Sequence, residues 1–232
     1  MTGASEDQAL TYAAAGWPVF PTRPNREHRP EPGRCPCKAP VTRNGFKDAT
    51  TDPAVIRAWW ARFADLNVAI ATGAPGPDVL DVDVHQDGVG WPAFNRLKRA
   101  AMLAGARALV RTPSGGLHVH FAGTGQDCGR LPRHHLDFKA AGGYVLAPPS
   151  VVHGKPYELL DHRAATARLD WQAVRRLLDP PAAAPALRRP GGSPAALVAW
   201  VVEREVRSPK KLPGALREPG VQVPPRTHMT SS

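Results

Sequence analysis

Hydrophobic and polar positions follow two periods along this chain, and together they predict an α+β fold. Helical spacing of apolar residues predicts helices over 5–15, from Asp52-Pro53 to a stripe ending at Phe63, over 88–103 and over 170–178. Alternation or short apolar runs predict strands near 17–20, 68–71, 79–84, 109–111, 117–121, 136–138, 144–146 and 157–160. Most of these strands are separated by helices or long loops, which is typical of an α+β domain.

The composition changes near residue 180. Beyond it Pro, Ala, Gly and Arg dominate, which is typical of a linker. We therefore predict a folded domain over 5–180 and a basic tail over 181–232, with a possible short helix at 195–206.

One predicted strand carries two carboxylates. In Val79-Leu80-Asp81-Val82-Asp83-Val84, the apolar side chains can face a core while Asp81 and Asp83 project from the opposite face. Like charges this close repel unless a cation lies between them. Carboxylate oxygens suit Mg²⁺ or Mn²⁺ and leave positions for substrate phosphates. A solvated strand face or a strand-end turn would explain the same pattern without a metal.

Two later segments add groups that suit phosphate chemistry. Ser114-Gly115-Gly116 is a turn whose backbone N–H groups could meet an anion, and His118 and His120 share one face of the strand that follows. Further on, Asp137 supplies a third carboxylate and Lys139 a cation, before a second glycine turn at 142–143.

These segments, in this order, resemble the bifunctional DNA primase/polymerase (prim-pol) domain of the archaeo-eukaryotic primase superfamily. The blocks at 16–21, 45–52, 67–73 and 142–150 resemble that domain too, so the resemblance covers roughly residues 8–180. It implies an RNA-recognition-motif-like catalytic core with a mixed sheet flanked by helices. It also implies template-directed nucleotidyl transfer: a DNA primase/polymerase that makes or extends primers on single-stranded DNA, in plasmid, phage or mobile-element replication.

The resemblance also implies roles for the singled-out residues. Asp81, Asp83 and Asp137 would hold two divalent ions, Mg²⁺ or Mn²⁺, and His118 would act as a general acid or a phosphate donor. A buried structural histidine or a metal ligand are the alternatives for His118. The nucleotide, a dNTP or an NTP, would be bound by a set of turn and strand residues: Ser114, Gly115, Gly116, His118, Lys139 and His120.

The sequence departs from the family pattern at three places. His120 stands where an aromatic residue, most often Tyr, is usual, so it could contact phosphate or sugar or only line the groove. Phe138 replaces an aliphatic residue, and the stretch between Phe20 and Gly45 is unusually rich in Arg and Pro.

Charge is concentrated in two segments of a chain whose formal net charge is +10. Residues 21–47 hold seven basic and two acidic side chains, and residues 185–232 hold eight basic and three acidic ones. A polyanion would be attracted to both. We predict that the loop contacts DNA through four of its cations, although a solvated basic loop is the plain alternative: Arg34, Lys38, Arg43 and Lys47.

Cysteine content and hydropathy limit which cellular compartment and which structural metal site the sequence predicts. Three cysteines indicate no disulfide framework, so a reducing cytoplasm is expected, and neither a membrane-spanning run nor a signal peptide is apparent. Cys35-Pro36-Cys37 has the wrong spacing for structural zinc, with only Cys128 and His28 left to complete a site. Zinc is therefore not predicted.

Two rival functions use the same residues. A metal-dependent nuclease or phosphoesterase could also employ Asp-x-Asp with His-x-His, and a non-catalytic replication-initiation protein could keep the fold and the basic loop alone. Three carboxylates facing DNA phosphates argue against a binding-only role. Because the chain contains no Gly-x-x-x-x-Gly-Lys-Ser/Thr pattern, unwinding would require a separate helicase.

Overall fold

The computed structural model describes residues 3–24, 36–63, 65–85, 88–164 and 166–181. Four helices lie within these residues: α1 (Ala4–Ala14), α2 (Pro53–Arg62), α3 (Trp91–Arg99) and α4 (Trp171–Leu178). Two of them begin at an aspartate, as predicted. The Asp52 carboxylate accepts the Ala54 N–H at 2.8 Å, and the Asp170 carboxylate accepts the Ala173 N–H at 2.9 Å. Each bond satisfies an amide that the first turn would otherwise leave unpaired.

Most of the strands form two antiparallel sheets. Their bounds are β1 (Val19–Thr22), β2 (Asn67–Ala71), β3 (Asp78–Val82), β4 (Val84–His85), β5 (Gly88–Val89), β6 (Ala108–Arg111), β7 (Leu117–Phe121), β8 (Gly129–Leu131), β9 (Leu136–Lys139), β10 (Tyr144–Leu146), β11 (Val151–Val152), β12 (Lys155–Pro156) and β13 (Glu158–His162). The larger sheet has the order β13-β6-β7-β3-β9-β8 and the smaller one β1-β2-β10, with ribbons β4-β5 and β11-β12 beside them.

The α+β class is confirmed, but the predicted mixed sheet is wrong in one respect. All pairs between these strands are antiparallel. Each of these strands pairs with neighbours that run in the opposite direction. The alternation of apolar and polar residues predicts a strand but does not give the direction of its neighbours.

The core is divided between the two sides of the larger sheet. Leu80 and Val82 of β3 belong to a buried cluster with Leu97 of α3 and Val174 of α4. On the other side, Phe20, Ala69 and Leu146 of the smaller sheet pack with Val110 of β6. The smaller sheet is covered in turn by α1 and α2. Residues that alternate with Leu80 and Val82 therefore lie on the face directed towards the smaller sheet.

Three predicted elements differ in detail. The helix expected over 88–103 runs only from Trp91 to Arg99, because Gly88 and Val89 pair with β4 instead. The strand expected over 79–84 is interrupted at Asp83, whose N–H is donated to the His135 carbonyl at 2.9 Å. Phe63, expected at the end of a buried stripe, is 41% exposed, because α2 ends at Arg62.

Residues up to Pro181 form one compact unit. The predicted helix at 195–206 and the rest of the tail lie outside the described residues, so the division at 180 stays a prediction. None of the helices in the described ranges is long and apolar enough to cross a membrane.

Candidate active site

Three candidate residues lie side by side on neighbouring strands. Asp81 of β3 pairs in register with His118 of β7 on one side and with Asp137 of β9 on the other. Arg130 of β8 is next in the same row, opposite Asp137. We call these four residues the acidic row. Because successive side chains alternate across a sheet, this row lies on the face opposite Leu80 and Val82.

Burial disfavours the charged forms of the Asp81 and Asp83 carboxyls. Burial raises the pKa of the Asp81 carboxyl to about 6, with Lys139 opposing the rise and Asp137 adding to it. Burial and the Asp81 charge raise the pKa of Asp83 as well. Their ion-pair partners are histidine nitrogens at long range: His118 Nε2 is 3.5 Å from Asp81 and His85 Nε2 is 3.7 Å from Asp83. Such a pair offers hard oxygen ligands to a divalent cation.

Asp137 is neutralised by two bases. Arg130 Nε donates to one carboxylate oxygen at 3.0 Å, and Lys139 Nζ donates to the other at 2.7 Å. In keeping with these pairs, no three His, Cys, Asp or Glu side chains of the described residues are grouped as around a metal ion. Asp81 and Asp83, which have no arginine or lysine ion pair within the described residues, fit a cation, whereas Asp137 would join it only after exchanging partners.

His118 is buried and uncharged. It is 5% exposed, and burial, reinforced by Lys38 and Lys139, lowers the pKa of its imidazole to about 3. Its Nδ1 has no hydrogen-bond partner among the described groups. A neutral ring can donate one hydrogen bond, but it is a poor store of a proton to be delivered as a general acid.

The Ser-Gly-Gly turn makes hydrogen bonds within the protein. The Gly115 N–H is donated to the Thr112 carbonyl at 2.9 Å, so in this conformation it does not face an anion. The Ser114 and Thr112 hydroxyls lie 3.0 Å apart. Gly116 has a steric role, because a Cβ there would collide with the Val82 backbone oxygen. The turn thus places β7 tightly against the end of β3.

Two clefts meet at the acidic row. One, of about 850 Å³, is lined by Asp83 and Ser114 together with Lys155 and His153. The other, of about 520 Å³, is lined by Lys139, Phe46 and the glycine turn at 142–143. Five residues line both of them: Lys38, Asp81, His118, Arg130 and Tyr157. Asp81 and His118 therefore lie where two bound groups could approach each other.

The predicted DNA-binding residues separate into three cases. Lys38 lines both clefts, and its charge acts on Asp81 and His118. Arg43 and Lys47 are described but line neither cleft. Arg34 lies outside the described residues, as do Cys35 and His28, so the zinc expectation is not tested by this structure.

His120 does not join the other nucleotide-binding candidates. It lines neither cleft at the acidic row. Its register partner on β3 is Val79 rather than an aspartate, and the ring is buried beside Trp17. The shared strand face put His118 and His120 together in the prediction, but in the structure His120 lines a separate cavity with Tyr12 of α1 and Ile70 of β2.

Sequence reasoning missed Arg130 and Tyr157. Arg130 lies outside every predicted strand, and only its pairing with β9 brings it to Asp137. The Tyr157 ring is 5.5 Å from that of His118, and burial together with Asp81 and Asp83 raises the pKa of its hydroxyl. Neither residue belongs to a motif; a hairpin prediction pairing 129–131 with 136–139 would have found Arg130.

The comparison with known families adds one finding. The sequence pattern of the family described as "Bifunctional DNA primase/polymerase, N-terminal" matches residues 9–187, which is more than half of the chain. No curated protein matches the chain.

Proposed function

Because the chain belongs to the bifunctional DNA primase/polymerase family, we propose that it synthesises or extends primers on single-stranded DNA. Membership implies a DNA primase/polymerase of the nucleotidyltransferase type, with DNA and nucleotides as substrates. The observation that carries the finer proposal is a pair of carboxylates that face the larger cleft, Asp81 in the acidic row and Asp83 two residues after it.

Asp81 and Asp83 are the residues we assign to a pair of Mg²⁺ or Mn²⁺ ions, with Asp137 as third ligand. When bound, such ions neutralise the triphosphate and stabilise the attacking and leaving oxygens of an in-line displacement. The raised pKa values of Asp81 and Asp83 support this assignment, since a cation would restore both ionised forms. For Asp137 to take part, Arg130 and Lys139 must release it.

The same release would supply cations for the nucleotide. Arg130 belongs to the acidic row, and Lys139 pairs with Asp137 of that row. Both line the smaller cleft, so we assign them to the triphosphate. Arginine and lysine donate strong charge-assisted hydrogen bonds to phosphate. Neutral His118 is assigned as a donor to a phosphate oxygen rather than as a general acid, and the Ser114 hydroxyl lies in the same cleft.

The template is assigned to the basic loop and the larger cleft. Among the predicted DNA contacts that the structure describes, Lys38 is the one that lines the larger cleft, and Lys155 lines it too. Arg34, Arg43 and Lys47 would extend this contact along the strand. We also propose the RNA-recognition-motif-like arrangement of the core, a cytoplasmic catalytic domain over 5–180 followed by a tail, a role in plasmid, phage or mobile-element replication, and a separate helicase.

One observation favours the non-catalytic alternative. Asp137 has both carboxylate oxygens in ion pairs, as a residue with only a structural role would. In that case the acidic row would bind DNA without chemistry, and metal would leave the Asp137 pairs intact.

A primer-synthesis and extension assay on single-stranded DNA decides between these functions. Wild-type protein is given dNTPs or NTPs with Mg²⁺, with Mn²⁺ or with EDTA, and a labelled oligonucleotide in the same tubes reports nuclease activity. We expect metal-dependent incorporation that the Asp81→Asn variant loses. Asp161→Asn, a matched change at an aspartate paired with Arg163 at 2.7 Å, should keep it. Cleavage without incorporation would support the nuclease, and DNA binding without either reaction the non-catalytic role.

A further inference from the structure

A third cavity lies between α1 and the β6-β7 side of the larger sheet. Its volume is about 420 Å³, and its walls include Tyr12 and Trp17, with Ile70, Val110 and Pro148 completing an apolar surface. This volume falls within the range of about 300–1,000 Å³ that small-molecule sites occupy. None of its lining residues lines either cleft at the acidic row.

Two polar side chains of this cavity have nitrogens without partners. His120 is 2% exposed, and neither of its ring nitrogens has a hydrogen-bond partner in the described part of the chain. The Nε of Arg107 is also buried and unpartnered. Buried polar groups are nearly always hydrogen-bonded, so three such nitrogens at one cavity indicate a ligand that supplies the missing partners.

The aromatic side chains of the cavity form a stack. The Trp17 ring lies 5.9 Å from the Tyr12 ring and 6.0 Å from the His120 ring, with small interplanar angles. The Arg107 guanidinium lies 5.4 Å from the Trp17 ring centre. Flat surfaces of this kind favour a planar aromatic ligand.

The polar groups narrow the ligand further. Burial lowers the pKa of His120 to about 3, so the ring is neutral and offers one donor and one acceptor. Arg107 adds a second donor. A ligand that satisfies these groups needs hydrogen-bond acceptors for the His120 and Arg107 donors, and a donor for the His120 acceptor. These ligand groups must lie along one edge, between two apolar faces. A phosphate would find one arginine and no lysine among the residues that line this cavity.

We propose that this cavity binds a nucleobase, stacked among Tyr12, Trp17 and His120 and hydrogen-bonded along its edge to His120 and Arg107. The base could arrive as a free nucleoside or as part of a nucleic-acid strand. The site goes beyond the proposed polymerase function, because it needs neither metal nor triphosphate. The His118 and His120 rings are 6.2 Å apart, so an occupied cavity would adjoin the acidic row.

The test is a binding measurement in EDTA with the full chain. Adenosine, guanosine, cytidine and thymidine are titrated separately by calorimetry and by saturation-transfer NMR, and short single-stranded oligonucleotides form a second arm. We expect at least one nucleoside to bind at millimolar concentration or below. His120→Phe keeps the stacked ring and removes the nitrogens, and Arg107→Met keeps the apolar stem. Each should weaken binding about tenfold.

Controls separate this site from the acidic row. Arg163→Met makes the same change at an arginine whose side chain is 71% exposed and lines no part of this cavity, and it should leave binding unchanged. Asp81→Asn should also bind as wild type does, and inorganic triphosphate should not compete. A free nucleoside that binds identifies a small-molecule source. Oligonucleotide binding identifies a strand at this cavity only where His120→Phe and Arg107→Met weaken it, because the basic loop would bind a strand as well.

Three results would overturn the proposal. One is the absence of binding in both arms with folded wild-type protein. Another is binding that His120→Phe and Arg107→Met leave unchanged while their melting temperatures stay near that of the wild type. The third is displacement of the nucleoside by inorganic triphosphate, which would place it at the acidic row. Because all measurements are made without metal, failure of the polymerase proposal would not affect them.

Discussion

His118 and His120 lie two residues apart on one strand, and their surroundings differ in kind. The register partner of His118 on β3 is Asp81, and the one of His120 is Val79. Burial lowers the pKa of both rings to about 3, so both are neutral. The difference between a charged cleft and an apolar cavity therefore arises from the residues contributed by the adjacent strand and by the covering helix, not from the histidines.

The two regions also differ in how their polar groups are satisfied. At the acidic row, Asp137 pairs with two bases, whereas Asp81 and the nearby Asp83 have only histidine partners. At the cavity, the unpaired groups are neutral or donate hydrogen bonds, and apolar rings surround them. A cation would satisfy the two carboxylates, and an uncharged aromatic ring with a polar edge would satisfy the groups of the cavity.

The largest expected difference between the regions is catalytic. Asp81→Asn or Asp83→Asn should reduce nucleotide incorporation by about a thousandfold or more, because each removes a ligand that stabilises charge in the transition state. His120→Phe should stay within a few-fold of wild type. Single-turnover primer extension measures both. Wild-type rates in the Asp81→Asn, Asp83→Asn double variant would show the metal assignment to be wrong.

Metal-free stability should change next most. The pKa of Asp81 is about 6 in the folded state, against the ordinary aspartate value of 3.8. Between those pH values the folded state binds the proton more tightly, so stability falls as pH rises, by about 3 kcal/mol in total. Asn does not titrate. The free energy of unfolding of Asp81→Asn, relative to the wild type, should therefore increase from pH 4 to pH 6 and stay constant above pH 6.

Urea unfolding in EDTA at several pH values measures this gain, with Asp161→Asn as the control. Mg²⁺ or Mn²⁺ should abolish it, because a bound cation stabilises the ionised form in the wild type. A stability difference that does not vary between pH 4 and pH 6 would contradict the raised pKa of Asp81.

Nucleotide use should respond to His118 and Lys139, two of the residues assigned to the triphosphate. His118→Ala and Lys139→Ala should each lower kcat/KM for the nucleotide by about 10–150-fold, since a charge-assisted phosphate contact contributes roughly 1.5–3 kcal/mol. Template affinity should change less. Lys98→Ala removes an exposed lysine of α3 and is the matched control. An unchanged nucleotide KM in both variants, alongside unchanged kcat, would contradict their assignment to the triphosphate.

Local sequence signals predicted the elements well where one signal dominated. Asp52-Pro53 and Asp170 mark helix starts because an aspartate can accept an orphan amide, and both lie where expected. Alternation in 117–121 and 79–82 placed Asp81 and His118 on one face for the same local reason. The helix over 88–103 was overestimated, since Gly88 and Val89 find strand partners that no short-range pattern encodes.

The site depends on contacts that are distant in sequence, and there the prediction was incomplete. Arg130 reaches Asp137 through the pairing of β8 with β9, and Tyr157 reaches His118 from the position just before β13. His120 was separated from His118 by the packing of α1 and the smaller sheet, which strand alternation does not determine. The metal, nucleotide and DNA roles of these residues stay predictions.

The smallest expected effect is on the salt dependence of binding. It can be measured both for DNA at the basic loop and for a nucleoside in the cavity at His120. Replacing Arg34, Lys38 and Arg43 with Ala should weaken single-stranded DNA binding and flatten its dependence on log salt by about 0.7 per lost phosphate contact. Exposed cations elsewhere make the matched control: Arg57, Lys98 and Arg99 to Ala. Deleting 185–232 should lower affinity without abolishing catalysis.

A nucleoside in the cavity at His120 should show almost no salt dependence, because an uncharged ligand displaces no counterions from DNA phosphates. Fluorescence anisotropy of a labelled oligonucleotide and calorimetry of the nucleoside, each over the same salt series, give the two slopes. An unchanged DNA slope in the loop variant would make the basic loop a solvated surface. A steep slope for the nucleoside would mean that it binds among the charges of the acidic row, and the two neighbouring histidines would then serve one site rather than two.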